Sequence, residues 1–391
     1  MKYTSLCYTA ALILLVGCSG NNNYDKSADE LITIDVTAEY PEKELILQDF
    51  MDVEYIPLDN SDEYITQGVV KAIGKNHIFV TNINSDGDIF VFDRKGKGVN
   101  KINRKGSSGE EYNSIYNIVC DEKNQEFFVN DNFTNKVLVY DFEGNYKRTL
   151  PYQKGCKFVD IQNFGQGELI CSNSTFLRTK ETTISPIYVI SKQDGTVVAT
   201  PDIKYGEKKS ATMRIENDGK LFGISPSTVF PILPFGDDRI LLELSSDTVY
   251  RYSADHSIKP FFVRTPSVHA MNPEVFLFTS LFTDKYYFME AVRKEYDFTQ
   301  KKGFPSTNLV YDTNDQRIYT YKVYNADFTT QDEENLKSRP LSGDILSWQT
   351  LEAYKLIEAY ENGELKGRLK EIASTLKEDS NPVIMLLKSK Q

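Results

Sequence analysis

Cys18 carries the most specific chemistry in this 391-residue chain. It closes an apolar run from Leu6 to Val16 that follows Lys2 and ends in Leu15-Val16-Gly17-Cys18. A thiol behind small residues at the end of such a run is the pattern of a leader cut before the cysteine and acylated on its sulfur, a bacterial lipoprotein signal peptide. The run is short for a bilayer span, and no stop-transfer segment follows it. The expectation is a leader at 1–17, lipidation of Cys18 and, through that lipid, the membrane as a partner.

Other reactive groups are sparse. Arg104-Lys105 lead into Glu110, Glu111 and Tyr112, where a guanidinium, carboxylates and an aromatic face could grip a polar ring by hydrogen bonds and stacking. These five are the candidate ligand-binding residues. Glu110 and Glu111 are adjacent, and neighbours on an extended chain point to opposite faces, so they do not make an acid and base pair. His77, His256 and His269 are scattered without metal-ligand spacing. Asp86, Asp88, Asp131 and Asp237 lie in loop-like segments and could coordinate calcium, but no loop has regular calcium-ligand spacing. Gly106-Ser107-Ser108-Gly109 lacks the spacing of a hydrolase elbow, and Gly165-Gln166-Gly167 lacks the third glycine and helix of a nucleotide loop. The sequence therefore assigns no catalytic residue, no metal ligand and no cofactor.

The elements that must position these groups are strands. Hydrophobic residues make up 40% and aromatics 12%, enough for a sizeable core. Net charge is −11, and loss of Lys2 with the leader makes it −12. That balance excludes nucleic acid as a partner, because neutralising phosphates needs a basic footprint. Of five cysteines, Cys120, Cys156 and Cys171 remain once Cys7 leaves with the leader and Cys18 is acylated. Buried thiols are favoured, with a Cys156–Cys171 disulfide as the alternative.

A unit recurs. Ile89-Phe90-Val91-Phe92-Asp93 with Gly96, Val137-Leu138-Val139-Tyr140-Asp141 with Gly144, and Ile187-Tyr188-Val189-Ile190-Ser191 with Gly195 each read as an apolar strand ending at a polar turn. Val249 to Ser253 and Leu309 to Asp312 repeat the strand without the glycine. The anchors at 93, 141, 191, 253 and 312 are 48, 50, 62 and 59 residues apart, near the period of propeller blades. Each anchor strand has apolar runs on both sides, and the turn Asp and Gly residues are read as structural. Val53-Glu54-Tyr55-Ile56-Pro57-Leu58 and Pro382 to Leu387 supply strands near the two ends whose pairing would close a sixth blade and remove exposed edges. Between about 347 and 377 the pattern turns helical, with Leu365, Leu369, Ile372, Ala373 and Leu376 on one stripe, and Trp348, Leu351, Ile357 and Tyr360 in a preceding helix. These helices would cap the central channel or cover apolar surface at its side.

The chain resembles the bacterial six-bladed β-propeller lipoproteins, similar in style to NHL-repeat propellers. The resemblance rests on Gly106-Ser107-Ser108-Gly109-Glu110-Glu111-Tyr112, which resembles that family's glycine-rich turn ending in Glu-Tyr, and on the blade from Phe128 to Gly144. Asp247-Thr248-Val249-Tyr250 and the ending from Asn381 to Lys388 extend it. It implies an all-β, six-bladed propeller over 31–391, behind a tether at 18–30, in the Gram-negative cell envelope. It carries over no catalytic residue. The expected role is an outer-membrane-anchored binding module for a glycan or an envelope protein. The alternative is a hydrolase or lyase with its site in loops at the channel mouth. Asp25, Asp29 and Glu30 are spread out and form no dense acidic run, which favours the periplasmic side over surface display.

Overall fold

The computed structural model describes residues 31–390, apart from 84–85, 182, 218–219, 227–228, 301 and 337–343. The leader, Cys18 and the tether lie outside the described residues. Six antiparallel sheets form a six-bladed β-propeller. Blade 1 takes Val69–Ile73, His77–Thr81, Asp88–Asp93 and Gly98–Asn103, from inner to outer strand. Blade 2 takes Asn117–Asp121, Glu126–Asp131, Lys136–Asp141 and Tyr146–Pro151, and blade 3 takes Phe158–Phe164, Glu168–Asn173, Ile187–Ser191 and Val197–Ala199. Blade 4 is built from Ile232–Phe235, Asp238–Leu241, Thr248–Tyr252 and Ile258–Thr265. Blade 5 is built from Val275–Phe282, Tyr286–Arg293, Ser306–Asp312 and Arg317–Tyr324.

Blade 6 joins the two ends of the propeller. Ile345–Leu351 is its inner strand, Val383–Ser389 its middle strand, and Met51–Pro57 pairs antiparallel on the outside. Ile384 lies opposite Ile56 and Leu386 opposite Glu54, so the expected closure is present residue by residue. The N-terminal segment does more than close one blade. Ile32–Asp35 adds in parallel to the outer strand of blade 4, and Glu42–Ile46 adds in parallel to the outer strand of blade 5. One segment thus straps three consecutive blades and covers two outer edges that would otherwise be open to pairing.

Side chains that alternate along the strands fill the spaces between blades. Phe79 of blade 1 lies 5.4 Å from Phe127 of blade 2, and Phe127 stacks on Tyr140 at 5.5 Å, all three fully buried. The recurring turns behave as their sequence requires. Asp93 Oδ1 accepts from the Lys95 amide at 2.8 Å, and Gly96 holds a φ of +84° with the Pro57 carbonyl where a Cβ would sit. In the glycine-less blades His256 and Gln316 take up the left-handed backbone at this turn, with φ of +67° and +57°. Polar clips repeat as well. Asn100 Nδ2 of blade 1 donates to the Phe142 carbonyl of blade 2 at 3.0 Å, and Arg148 Nε of blade 2 donates to the Lys192 carbonyl of blade 3 at 2.9 Å.

The helical stretch begins later than its sequence suggests. Trp348 and Leu351 belong to the inner strand of blade 6, paired with Leu386 and Val383, and the helices are Ala353–Glu361 and Gly367–Ala373. Pairing with the C-terminal strand outweighs a local helical periodicity at the two residues. Leu356, Leu365, Leu369, Ile372 and Ala373 pack in one cluster with Leu281 and Phe288 of blade 5 and Met385 of blade 6. The helices therefore cover the side of blade 6 that faces blade 5.

Candidate functional site

In blades 1 to 5 the link from second to third strand and the link from the outer strand to the next blade emerge on the same face. The Arg104–Tyr112 turn lies on this face, between blades 1 and 2. There it works as an inter-blade clip. Tyr112 is fully buried; its hydroxyl donates to the Gly87 carbonyl at 2.6 Å and accepts from the Arg104 amide at 2.9 Å. Its ring packs edge-on against Tyr140, 6.0 Å between centroids, and is not presented for stacking on a ligand. Arg104 Nε donates to the Gly144 carbonyl of blade 2 at 2.8 Å. The Glu111 carboxylate accepts from the Ser108 amide at 2.9 Å, which holds it below the usual carboxylate range, and Glu110 uses its carbonyl to accept from Tyr140. Lys105 is exposed beside them. The structure brings the five residues together, with Tyr112 inside the protein.

The acidic residues considered for calcium do not converge. Asp131 accepts from the Asn113 amide at 2.8 Å, Ser114 Oγ at 3.0 Å and Thr134 Oγ1 at 2.7 Å. Burial opposes its charge, but those donors outweigh burial and hold the carboxyl below its ordinary value. Asp86 caps the Asp88 amide, Asp88 pairs with Lys101 at 3.0 Å, and Asp237 sits in a turn on the opposite face. Among the described residues no three His, Cys, Asp or Glu side chains are grouped to hold a metal ion. The histidines are packing residues: His77 Nδ1 lies 3.1 Å from Glu122, His256 Nε2 3.2 Å from Glu168, and His269 Nε2 3.0 Å from the Ser245 carbonyl.

The same face carries a cleft of about 1270 Å³ between blades 3 and 4, which the sequence did not single out. Four connections build it: the 174–186 loop of blade 3, the long 200–231 passage to blade 4, the residues just after Leu241, and Lys294 just after the second strand of blade 5. Within the long passage a hairpin of Met213–Asn217 and Lys220–Ile224 raises one wall. Lys208 ties that passage to the blade 3 loop, donating to the Phe176 and Thr179 carbonyls at 2.9 Å each and lying 4.1 Å from the centre of the Phe176 ring. The wall is braced from both sides.

Arg178, Arg214 and Lys294 bring positive charge to the cleft, Phe222 brings an aromatic face that is 47% exposed, and Glu243 is the only carboxyl lining group among the described residues. Glu243 is buried. Burial pushes its carboxyl above the usual range, although Ser245 donates to Oε1 from its hydroxyl at 2.8 Å and its amide at 3.1 Å. Ser172, also buried, lines the cleft, and its Oγ has no hydrogen-bond partner among the described residues. Chemically, the cleft offers cations, hydroxyls, an aromatic surface and one poised carboxyl within a volume large enough for several sugar rings.

Fold and strap together define a six-bladed β-propeller with a ligand-sized cleft on its loop-rich face. The chain belongs to the family described as Domain of unknown function (DUF4934), whose model matches residues 31–388. No functionally curated protein matches it in sequence. Among solved structures it is similar to a Bacteroides fragilis protein described as exported, at 17% identity and a TM-score of 0.60, covering 92% of this chain and 100% of that one. It is also similar to a DUF4221 family member from Bacteroides vulgatus, at 11% identity and a TM-score of 0.46, covering 88% of this chain and 98% of that one. A further similar structure is BamB from Moraxella catarrhalis, at 8% identity and a TM-score of 0.38, covering 86% and 99%.

Proposed function

We propose that the protein is an extracytoplasmic binding module, held at the outer membrane of a Gram-negative cell by lipid on Cys18, that captures a glycan in the cleft between blades 3 and 4. The cleft carries this reading. Its volume of about 1270 Å³, the exposed Phe222 ring and the hydroxyls around Ser172 suit sugar rings, which need an apolar face for their C–H groups and paired donors and acceptors for their hydroxyls. The leader ending at Cys18 supports the location, as does the exported character given to the Bacteroides fragilis protein. An envelope protein is the other partner class that the rigid rim would serve.

A second reading has one specific observation behind it. Glu243 is a buried carboxyl in the cleft with its pKa pushed up, the state a general acid needs in a hydrolase or lyase. The full-length protein on a polysaccharide array, with reducing-end and unsaturated-product assays on each ligand bound, separates the two. Binding without product, abolished by Phe222→Ala, is the expected result. Product release that Glu243→Gln removes would replace the binding module with an enzyme.

A further inference from the structure

The balance of charge in the cleft runs against the rest of the molecule. The chain as a whole carries −11, yet among the described residues three of the four ionisable groups lining the cleft are cations. Arg178 and Arg214 are exposed at the cleft, and neither guanidinium has a hydrogen bond or ion pair among the described residues. Lys294 is 3.9 Å from Glu274, but that carboxylate is already 3.4 Å from Lys209, so two ammonium groups share one acid. Among the described residues the only carboxyl lining the cleft, Glu243, is desolvated, which disfavours its charged form.

We propose that the ligand of this cleft is an acidic glycan, whose ring carboxylates are held by Arg178 and Arg214, with Lys294 as a further positive charge. The inference rests on the glycan-binding reading above and adds the charge of the ligand. A guanidinium presents a planar fork that matches a carboxylate with two parallel hydrogen bonds, a recognition that lysine does not reproduce. Ser172 is the independent observation. The residue is 3% exposed, it lines the cleft, and its Oγ lacks a hydrogen-bond partner among the described residues. A buried polar atom without a partner is costly, and a sugar hydroxyl would satisfy it as both donor and acceptor. Ser174, Ser210 and Thr212 extend the same small hydroxyl-bearing surface toward Phe222. An acidic peptide would also bring carboxylates, but neither the hydroxyl surface nor the exposed ring is called for by an extended peptide backbone.

The test is calorimetric titration of the full-length protein with a panel of uronate-containing glycans, namely polygalacturonate, alginate and hyaluronan, each beside its carboxyl-reduced counterpart of equal length and linkage. At least one acidic form is expected to bind tenfold or more tightly than its reduced partner. Arg178→Ala and Arg214→Ala should each weaken the acidic form by about tenfold and leave the reduced form unchanged. Arg214→Lys should recover only part of the loss, because it keeps the charge and loses the fork. Unchanged thermal melting of the three variants ties the loss to the site. Equal affinity for acidic and reduced forms would overturn the charge assignment while leaving glycan binding intact. Failure of every acidic and every reduced glycan to bind would overturn both. Binding of polyglutamate with the same arginine dependence, and of no uronate-containing glycan, would make the ligand a peptide.

Discussion

The ammonium of Lys192, in the turn of blade 3 that follows Ser191, lies 2.7 Å from the Asp121 carboxylate at the end of the inner strand of blade 2, with both side chains under a tenth exposed. Burial opposes charge on Asp121, but hydrogen bonds from Lys192 and Asn124 outweigh it, and the carboxyl stays below its ordinary value. The pair couples two blades through charge in a place from which water is excluded.

Removing one partner leaves the other buried and uncompensated, which typically costs about 3–5 kcal/mol. Lys192→Ala is therefore expected to lower unfolding free energy by that amount in urea titrations at neutral pH. The double variant Lys192→Met with Asp121→Leu should recover much of the loss, since an apolar pair of similar size carries no desolvation penalty. A loss below about 0.5 kcal/mol for Lys192→Ala would show that the pair is solvated in solution.

Closure of the ring makes a second prediction. Leu386 is fully buried at the middle of the strand that holds Met51–Pro57 to the sheet, within a cluster that includes Ile56, Phe90 and Phe92 of blades 6 and 1. Leu386→Ala should cost about 2–5 kcal/mol. Deleting residues 383–391 should do more, removing the partner of both Met51–Pro57 and Ile345–Leu351. Limited proteolysis would then cut first near residue 51, whereas cleavage confined to the 353–373 helices would show that closure does not depend on this strand.

Much of this fold was legible, and the reasons are local. A turn such as Asp93 to Gly96 writes its own geometry in residue types, and strands such as Ile89 to Phe92 are apolar throughout because both faces are covered. The ends of the chain could be matched because both are continuous apolar runs. Ile32–Asp35 and Glu42–Ile46 escaped notice because added edge strands bury only part of one face and show little periodicity; Glu42, Glu44 and Ile46 are exposed. Trp348 and Leu351 read as helical for a related reason, since the strand pairing that fixes them comes from about 35 residues away. The cleft had a signal that went unread. The anchor spacing rises from 48 and 50 to 62 between Ser191 and Ser253, and the excess is the 200–231 passage that walls the site. Which side chains from it meet Glu243 depends on four connections converging, and no spacing in one dimension reports that. Tyr112 misled in the opposite direction: an aromatic in a polar turn reads as exposed until its ring is placed between two blades.

The three cysteines of the propeller are free; Cys156 and Cys171 are buried and Cys120 is half-buried. Burial pushes all three thiols up, which suppresses the reactive thiolate. Protein that lacks the leader and carries lipid on Cys18 is expected to leave all three unmodified by an aromatic disulfide reagent over an hour near pH 7.5, with three equivalents reacting after denaturation. Melting temperature should be the same with and without reductant. A mass two units lower than the fully reduced chain would reveal a disulfide and overturn this expectation.

Glu243 supplies a prediction whose sign is fixed by the direction of its shift. Its folded-state pKa is raised above the unfolded value near 4.5, so the native state binds the proton more tightly than the unfolded chain does. Its contribution to stability is fully present below about pH 4 and is lost as pH rises through the higher folded value. Glutamine keeps an oxygen to accept from the Ser245 amide and hydroxyl and carries no titrating proton. Glu243→Gln should therefore melt close to the native protein at about pH 4 and at a higher temperature by about pH 8, with the difference growing between those limits. A difference that stays constant with pH would mean that the carboxyl is solvated in the cleft, and a difference that shrinks as pH rises would mean that a cation, Lys208 the nearest candidate, stabilises its charge more than burial opposes it.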